Sequence, residues 1–290
     1  MHWEALADVS RLRTNWSFLL LAVCLMPVNW ALETLKWRQF MSVFRALDFR
    51  TAFRGVLAGI SVSLFTPNRV GEYAGRMLVL EPQAALSTVA ATMLGSYAQW
   101  MVLWMGGATG LFVLAGRQDM GTPAMRYALW LIALAFGLAA STLLRNPRKA
   151  LRVLLTLPRS RIRQKLLSAL LPLRHFSAEM AMRVLGLAAL RYGVYGLQYY
   201  FLLRYMDIKI PAGEAFAGIA ALFLVQTGIP LPPFAAFLAR GELALWLWGG
   251  YTMKPALILG AAYGLFTLNL LLPALLGGWV IWHSRWLQNR

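Results

Sequence analysis

Arg69, Glu72 and Arg76 stand at i, i+3 and i+7 in the stretch SLFTPNRVGEYAGR, residues 63–76. On a helix that spacing puts all three on one face. Glu72 can pair with either arginine, so one positive charge is left over. A guanidinium presents a planar fork of donors that fits phosphate oxygens two at a time. The chemistry this suggests is capture of an anion, a phosphate above all. The same residue types recur at Arg240 and Glu242, after the proline-rich run TGIPLPPFAAF, residues 227–237. Together these positions hold three arginines against two glutamates, a surplus of one positive charge. Pro67, Asn68 and Gly71 mark a turn beside the first group, and Pro230 marks one beside the second. Helix starts at the Pro67 turn add backbone N–H donors. Gly71 and Gly75, four apart, let helices approach closely. The plainer alternative is that Arg69, Glu72 and Arg76 lie at a membrane surface and extend their charges into the head-group region.

The elements that must position these residues are apolar. The chain has 290 residues, 59% hydrophobic and only 13% charged, with a mean hydropathy of +0.58. Such a composition points to a polytopic all-α membrane protein. A spanning helix needs ~20 mostly apolar residues. Uncharged runs cover Thr14–Leu32, Gly55–Asn68, Pro82–Gly116, Tyr127–Leu144, Ala215–Ala239 and Pro255–Ser284, and Arg191 alone interrupts Val184–Leu203. The first fifteen residues are polar and do not resemble a cleaved leader. A single cysteine, Cys24, excludes an internal disulfide framework.

The formal net charge is +17. From Arg145 to Arg183 there are ten Lys/Arg against one acid, Glu179. Beside spanning helices that is the signature of a cytoplasmic loop, and it also suits contact with anionic lipid head groups or a protein. No nucleic-acid module accompanies the charge, so nucleic acid is not an expected partner. With residues 145–183 inside, Gly116–Arg126 and Asp207–Glu214 fall outside. Lys36–Arg54, with five basic residues and one acid, falls inside. The N-terminus is then external and the C-terminus, with Arg285 and Arg290, cytoplasmic. Pro82–Ala115 exceeds one perpendicular span, so it is tilted or broken near Gly106-Gly107.

Two apolar segments then have both ends on one side. Residues 55–81 read as a re-entrant hairpin: a helix Gly55–Phe65, a turn at Thr66-Pro67-Asn68 and a return helix Val70–Leu80. Residues 215–250 read as a second hairpin, opening from the other face. The expectation is about five full spans plus two re-entrant hairpins in inverted-repeat halves. One transmembrane domain covers 1–290, with a first half at 16–144 and a second at 184–290. Interrupted segments at matching positions of inverted halves point to a transporter site. Independently kinked helices are the other reading.

Four stretches carry a family resemblance: VNWALETLKWRQF (28–40), SLFTPNRVGEYAGRMLVL (63–80), LRYGVYGLQYYFLL (190–203) and the proline-rich segment before ARGE (239–242). They resemble the flippase-like transmembrane family that includes the membrane half of bacterial lysylphosphatidylglycerol synthases. The resemblance implies a bilayer lipid or lipid-linked substrate moved between leaflets of a bacterial inner membrane. It marks Pro67, Arg69, Gly71, Glu72 and Arg76, and more loosely Arg240 and Glu242. Members often have an extra hydrophobic segment before the one matching Trp16–Leu35. The aminoacyl-transferase domain is also missing here, so synthesis of aminoacylated lipid is not expected.

Other polar residues carry less. Glu33 and Lys36 can pair or mark the interface, and Arg191 needs a partner or a water-filled cavity. Tyr192, Tyr195, Tyr199 and Tyr200 form an aromatic packing face or line a lipid path. Trp100 and Trp104 read as packing or belt residues. The histidines, His2, His175 and His283, lie outside the apolar runs, so no buried Ser–His pair or HExxH zinc site is expected. There is no phosphate-binding GxxxxGK[ST] loop, so ATP-driven transport by this chain is not expected. The expectation is a lipid transporter without cofactor, metal or catalytic residues, with a membrane phospholipid as substrate. A lipid-modifying enzyme or a second copy is a possible partner. The alternatives are a non-catalytic assembly subunit for such an enzyme and an intramembrane carboxylate-dependent transferase using Glu72 or Glu242.

Overall fold

The computed structural model describes residues 15–117, 119–145, 170–228 and 233–283, with isolated positions at 160, 163, 164, 167 and 231. Pro230, most of the basic segment 145–183, the N-terminal tail, Arg285 and Arg290 lie outside the described residues, as does the side chain of Asn68.

The described residues are helical, as the apolar runs require. In chain order they form α1 (Trp16–Met41), α2 (Phe49–Ser63), a 3₁₀ turn (Pro67–Arg69), α3 (Gly71–Met77), α4 (Ala85–Arg117), α5 (Pro123–Arg145), α6 (Ala178–Tyr205), α7 (Ala212–Gly228), α8 (Pro233–Trp248), α9 (Pro255–Phe266) and α10 (Leu272–Trp282). A π-helical segment, Thr267–Leu271, joins α9 to α10. By length and composition, four helical stretches are apolar enough to cross a membrane: Trp16–Met41, Pro82–Arg117, Pro123–Thr142 and Pro255–Trp282. The chain is therefore a helical multi-pass membrane protein. The α4 helix runs without interruption through Gly106-Gly107. At 1.5 Å per residue its 33 residues exceed a ~30 Å hydrocarbon layer, so it must tilt to stay within it.

Local signals explain the helix ends. Asp48 caps α2, its carboxylate accepting from the Thr51 N–H at 3.1 Å. That bond holds the Asp48 carboxyl below its usual range. Ser177 caps α6 in the same way, accepting from the Met180 N–H. Thr66 is extended, as a residue before proline prefers, and Pro67 opens the 3₁₀ turn that ends α2. The Thr66 hydroxyl accepts from the Gly71 N–H at 2.7 Å and so ties the turn to α3.

Packing pairs α1 with α6, α4 with α5 and α7, α2 with α3 and α10, and α8 with α9. Two large apolar cores result, beside a small one at Trp30, Leu57 and Val280. One gathers Tyr199, Leu202, Leu222, Trp248 and Ile258 from α6 to α9. The other gathers Trp37, Phe40, Val56, Ile60, Ala91 and Val184 from α1, α2, α4 and the start of α6. Glycines make the α2–α3 contact possible. A Cβ on Gly71 would collide with the Val62 carbonyl, and one on Gly75 with the Ala58 carbonyl. Trp104 is a packing residue, its indole N–H donating to the Ala133 carbonyl at 3.2 Å.

Candidate functional site

One face of α1 buries Asn29, Glu33, Lys36, Trp37 and Phe40, which recur at helical spacing. Glu33 is the centre of a charge cluster. Its carboxylate lies 2.6 Å from Lys36 Nζ, 2.8 Å from Arg76 Nη2 and 3.3 Å from Arg191 Nη1. Arg76 also bonds Glu72 one turn back on α3. The Gln99 Oε1 of α4 accepts from Arg191 at 3.1 Å and from Lys36 at 3.3 Å. The Arg76 guanidinium stacks 4.9 Å from the Trp37 ring centre. Four helices thus meet at one buried ionic knot.

Arg69 is the open edge of this knot. Its side chain is 49% exposed, against 1% for Arg76, and its only ion pair among the described residues is with Glu72 at 3.7 Å. Its backbone has φ of 60°, in the left-handed region. For a side-chain-bearing residue that conformation costs ~1–2 kcal/mol, and such strain collects at functional positions. The left-handed turn lets α3 start directly after the Pro67 break, with Arg69 at its rim.

Arg240 approaches from the other break. It borders a cleft with Gln226, Leu231, Ala236, Ala239 and Leu243, with open space of ≈ 270 Å³. A contiguous cleft is bordered by Tyr195, Tyr199, Phe223, Gln226 and Arg240. The Arg240 guanidinium lies 5.5 Å from the Phe266 ring centre and has no ion pair among the described residues. Arg69 and Arg240 are within electrostatic reach of each other and of the Tyr195 hydroxyl. Two guanidiniums from distant segments are thus close enough to repel, and among the described residues one carboxylate, Glu72, is paired with them.

The family model described as the lysylphosphatidylglycerol synthase TM region matches residues 3–277. The chain belongs to that family. No curated protein and no solved structure matches it.

In this family member the structure joins Arg69, Glu72 and Arg76, places Pro67 and Gly71 at the turn beside them, and sets Arg240 apart on the cleft of α8. Glu242 is not joined to them: it is exposed on α8 and has no ion pair among the described residues. Two positions beyond Arg240, it lies on a different side of the helix. Glu33, Lys36, Arg191 and Gln99 complete the site. In the sequence, Glu33 and Lys36 are a pair at the end of an apolar run and Arg191 is a lone intramembrane charge. An intramembrane ionisable residue that needs a partner was the available signal; which partner it finds is tertiary. The tyrosines of α6 divide. Both Tyr195 and Tyr199 border the cleft, but Tyr199 is buried and accepts from the Trp248 indole at 3.2 Å, while Tyr195 packs 4.9 Å from Phe223.

A second polar group lies along α1. Asn29 donates to Asn269 at 2.6 Å, and Gln198 donates to the Ala22 carbonyl at 3.0 Å. Asn269 belongs to the π-helical segment, a form of helix frequent at functional sites. On the opposite end of the bundle, Glu214 bonds Arg117 and accepts from the Tyr251 hydroxyl at 2.6 Å. That hydrogen bond, with burial, raises the Tyr251 phenol above its usual range.

Proposed function

We propose that this protein moves an anionic phospholipid, or a lipid-linked anion, between the leaflets of a bacterial inner membrane. The observation that carries the reading is that Arg69, half-exposed at the edge of the ionic knot, and Arg240, which borders the cleft, are within electrostatic reach of each other and share one paired carboxylate, Glu72, among the described residues. Two neighbouring cations repel in the empty site, and an anion between them removes the repulsion. A phosphate offers each guanidinium a pair of oxygens. The cleft is too small for a whole lipid, so the acyl chains remain in the bilayer while the head group passes.

In this reading α2–α3 and α7–α8 are re-entrant hairpins in inverted halves. The α6 helix, whose 28 residues carry Arg183, Arg191 and Arg204, is the fifth full span beside the four apolar ones. Arg76 and Glu72 hold the first hairpin in place, and Arg69 and Arg240 contact the phosphate. The C-terminus and residues 145–183 are cytoplasmic. No ATP is consumed by this chain, which acts as a transporter rather than an enzyme. Membership of the lysylphosphatidylglycerol synthase TM region family supports a lipid substrate.

The test is translocation of fluorescent phosphatidylglycerol in proteoliposomes, with phosphatidylcholine as the zwitterionic comparison. Arg69→Ala and Arg240→Ala should each slow the anionic lipid at least tenfold. Arg69→Lys should also impair it, because an ammonium cannot form the two-point contact. Wild-type rates from two well-folded alanine variants would refute the site. Cysteines at Asn68 and Leu231 should crosslink through a short reagent if the two tips meet. Wild type that moves no lipid, yet retains a lipid-modifying enzyme from membranes, would favour the assembly-subunit reading instead.

A further inference from the structure

The buried part of the Glu33 knot does not balance its charge. Arg69 is half-exposed, so water screens it. The rest is enclosed: Arg76 and Lys36 are buried, and Arg191, the most open of the group, has a side chain 18% exposed. Three cations there, Lys36, Arg76 and Arg191, face two carboxylates, Glu33 and Glu72, and no other carboxylate pairs with them among the described residues. Arginine does not deprotonate in proteins, and Lys36 is held as an ion pair with Glu33 at 2.6 Å. One positive charge is left over inside an apolar bundle, where unpaired charge is costly. Hydrogen bonding is incomplete at the same place. Arg76 directs Nη2 at both Glu33 and Glu72, and Arg191 directs Nη1 at Glu33 and Gln99. The Nε–H of each arginine is buried and has no acceptor among the described residues. The nearby Gln99 Oε1 is already taken by Arg191 and Lys36. Buried donors without acceptors are rare in native proteins and point to a water or an ion. Arg76 and Arg191 approach the two oxygens of one carboxylate, that of Glu33, so the two guanidiniums are neighbours.

We infer that the knot is a binding site for one small monovalent anion, a halide such as chloride, held by the Arg76 and Arg191 guanidiniums. A single negative charge balances three cations against two carboxylates, and a halide accepts from several N–H groups at once. Water answers the donors but leaves the charge. A lipid phosphate answers both, but Arg76 is 1% exposed, packed against Glu33, Glu72 and the Trp37 ring. A phosphodiester carries two substituents that have to remain outside such an enclosure, whereas a bare halide has none. The ion is then a structural partner of α1, α3 and α6 rather than cargo. Because it binds the folded state alone, it raises stability as its concentration rises. The inference does not rest on the lipid-transport reading: Arg69 and Arg240, which that reading assigns to the lipid phosphate, take no part in the halide site.

The test is thermal unfolding of the full chain, purified in detergent, in sodium gluconate, chloride and bromide at one ionic strength. Wild type should melt about 5 °C higher at a saturating halide level than in gluconate, and the rise should follow a single-site curve. Arg191→Gln leaves Lys36 and Arg76 against Glu33 and Glu72, without a surplus, and should melt alike in all three salts. Arg69→Ala should keep the wild-type halide response. Equal melting of wild type in gluconate and chloride means that water answers the donors, and it overturns the inference. A wild-type rise in Arg191→Gln, or its loss in Arg69→Ala, also overturns it by placing the ion elsewhere. Should Arg191→Gln not fold, wild-type crystals grown in bromide supply the second measurement. An anomalous peak within hydrogen-bonding reach of the Nε atoms of Arg76 and Arg191 is expected, and bromide found only at the exposed surface overturns the site. Wild type that responds to halide yet moves no lipid refutes the lipid reading and leaves the halide site standing.

Discussion

Glu33→Gln and Arg69→Ala separate what holds the bundle from what the proposed function assigns to the substrate. Glu33 contacts Lys36, Arg76 and Arg191 within 3.3 Å, and its side chain is 9% exposed. Its amide replacement leaves Glu72 as the one carboxylate for four cations. Breaking a buried pair by removing one partner costs ~3–5 kcal/mol. That is a large part of the ~5–15 kcal/mol by which folded domains are usually stable. The Arg69–Glu72 pair is different. At 3.7 Å and with Arg69 49% exposed, it belongs to the class worth ~0–1 kcal/mol. Purified in detergent, Glu33→Gln should therefore melt roughly 10 °C lower than wild type, or fail to elute as a single species. Arg69→Ala should melt within a few degrees of wild type while losing lipid translocation. A second substitution, Lys36→Met in the Glu33→Gln background, removes one orphaned cation and should recover part of the loss. Equal melting of Glu33→Gln and wild type would show that the knot is solvated, and the reasoning built on its burial would fall.

Three further outcomes follow from other parts of the structure. Gly75→Ala should destabilise the protein by ~1–3 kcal/mol, because its methyl group meets the rigid Ala58 carbonyl; an unchanged melting point would mean that α2 and α3 are not in close contact. Tyr251→Phe removes the hydrogen bond to Glu214 that raises the phenol. The stability that bond adds should be fully present below about pH 10 and should disappear as pH rises through the raised value, so the wild-type and Tyr251→Phe melting curves should converge at high pH. In a Cys24→Ser background, a cysteine at Ser160 should react with membrane-impermeant reagents only after the cytoplasmic face is opened; labelling from outside would reverse the orientation.

Much of the fold was legible in the sequence because the membrane imposes a simple rule. Backbone groups in hydrocarbon must bond within their own segment, so long uncharged runs must be helices. Trp16–Met41, Pro82–Arg117, Pro123–Thr142 and Pro255–Trp282 follow from that rule with little help from their neighbours. The break at Thr66-Pro67 was also local, since proline lacks an N–H and holds the preceding residue extended. The spacing of Arg69, Glu72 and Arg76 announced a charged helix face for the same local reason. What the sequence could not decide was how charges far apart in the chain share one another. Glu33 and Arg191 are 158 positions apart by their numbers; the sequence offered Glu33 only its neighbour Lys36 and left Arg191 as a lone charge in an apolar run. Only the packing of α1 against α6, with α3 and α4 beside them, makes Glu33 the centre of the knot. The same holds for Arg240 and Glu242, which are neighbours in sequence but on different sides of α8. Local rules set which residues are helical and charged; tertiary packing chose which charges are buried together, and left the Arg240 guanidinium facing the cleft.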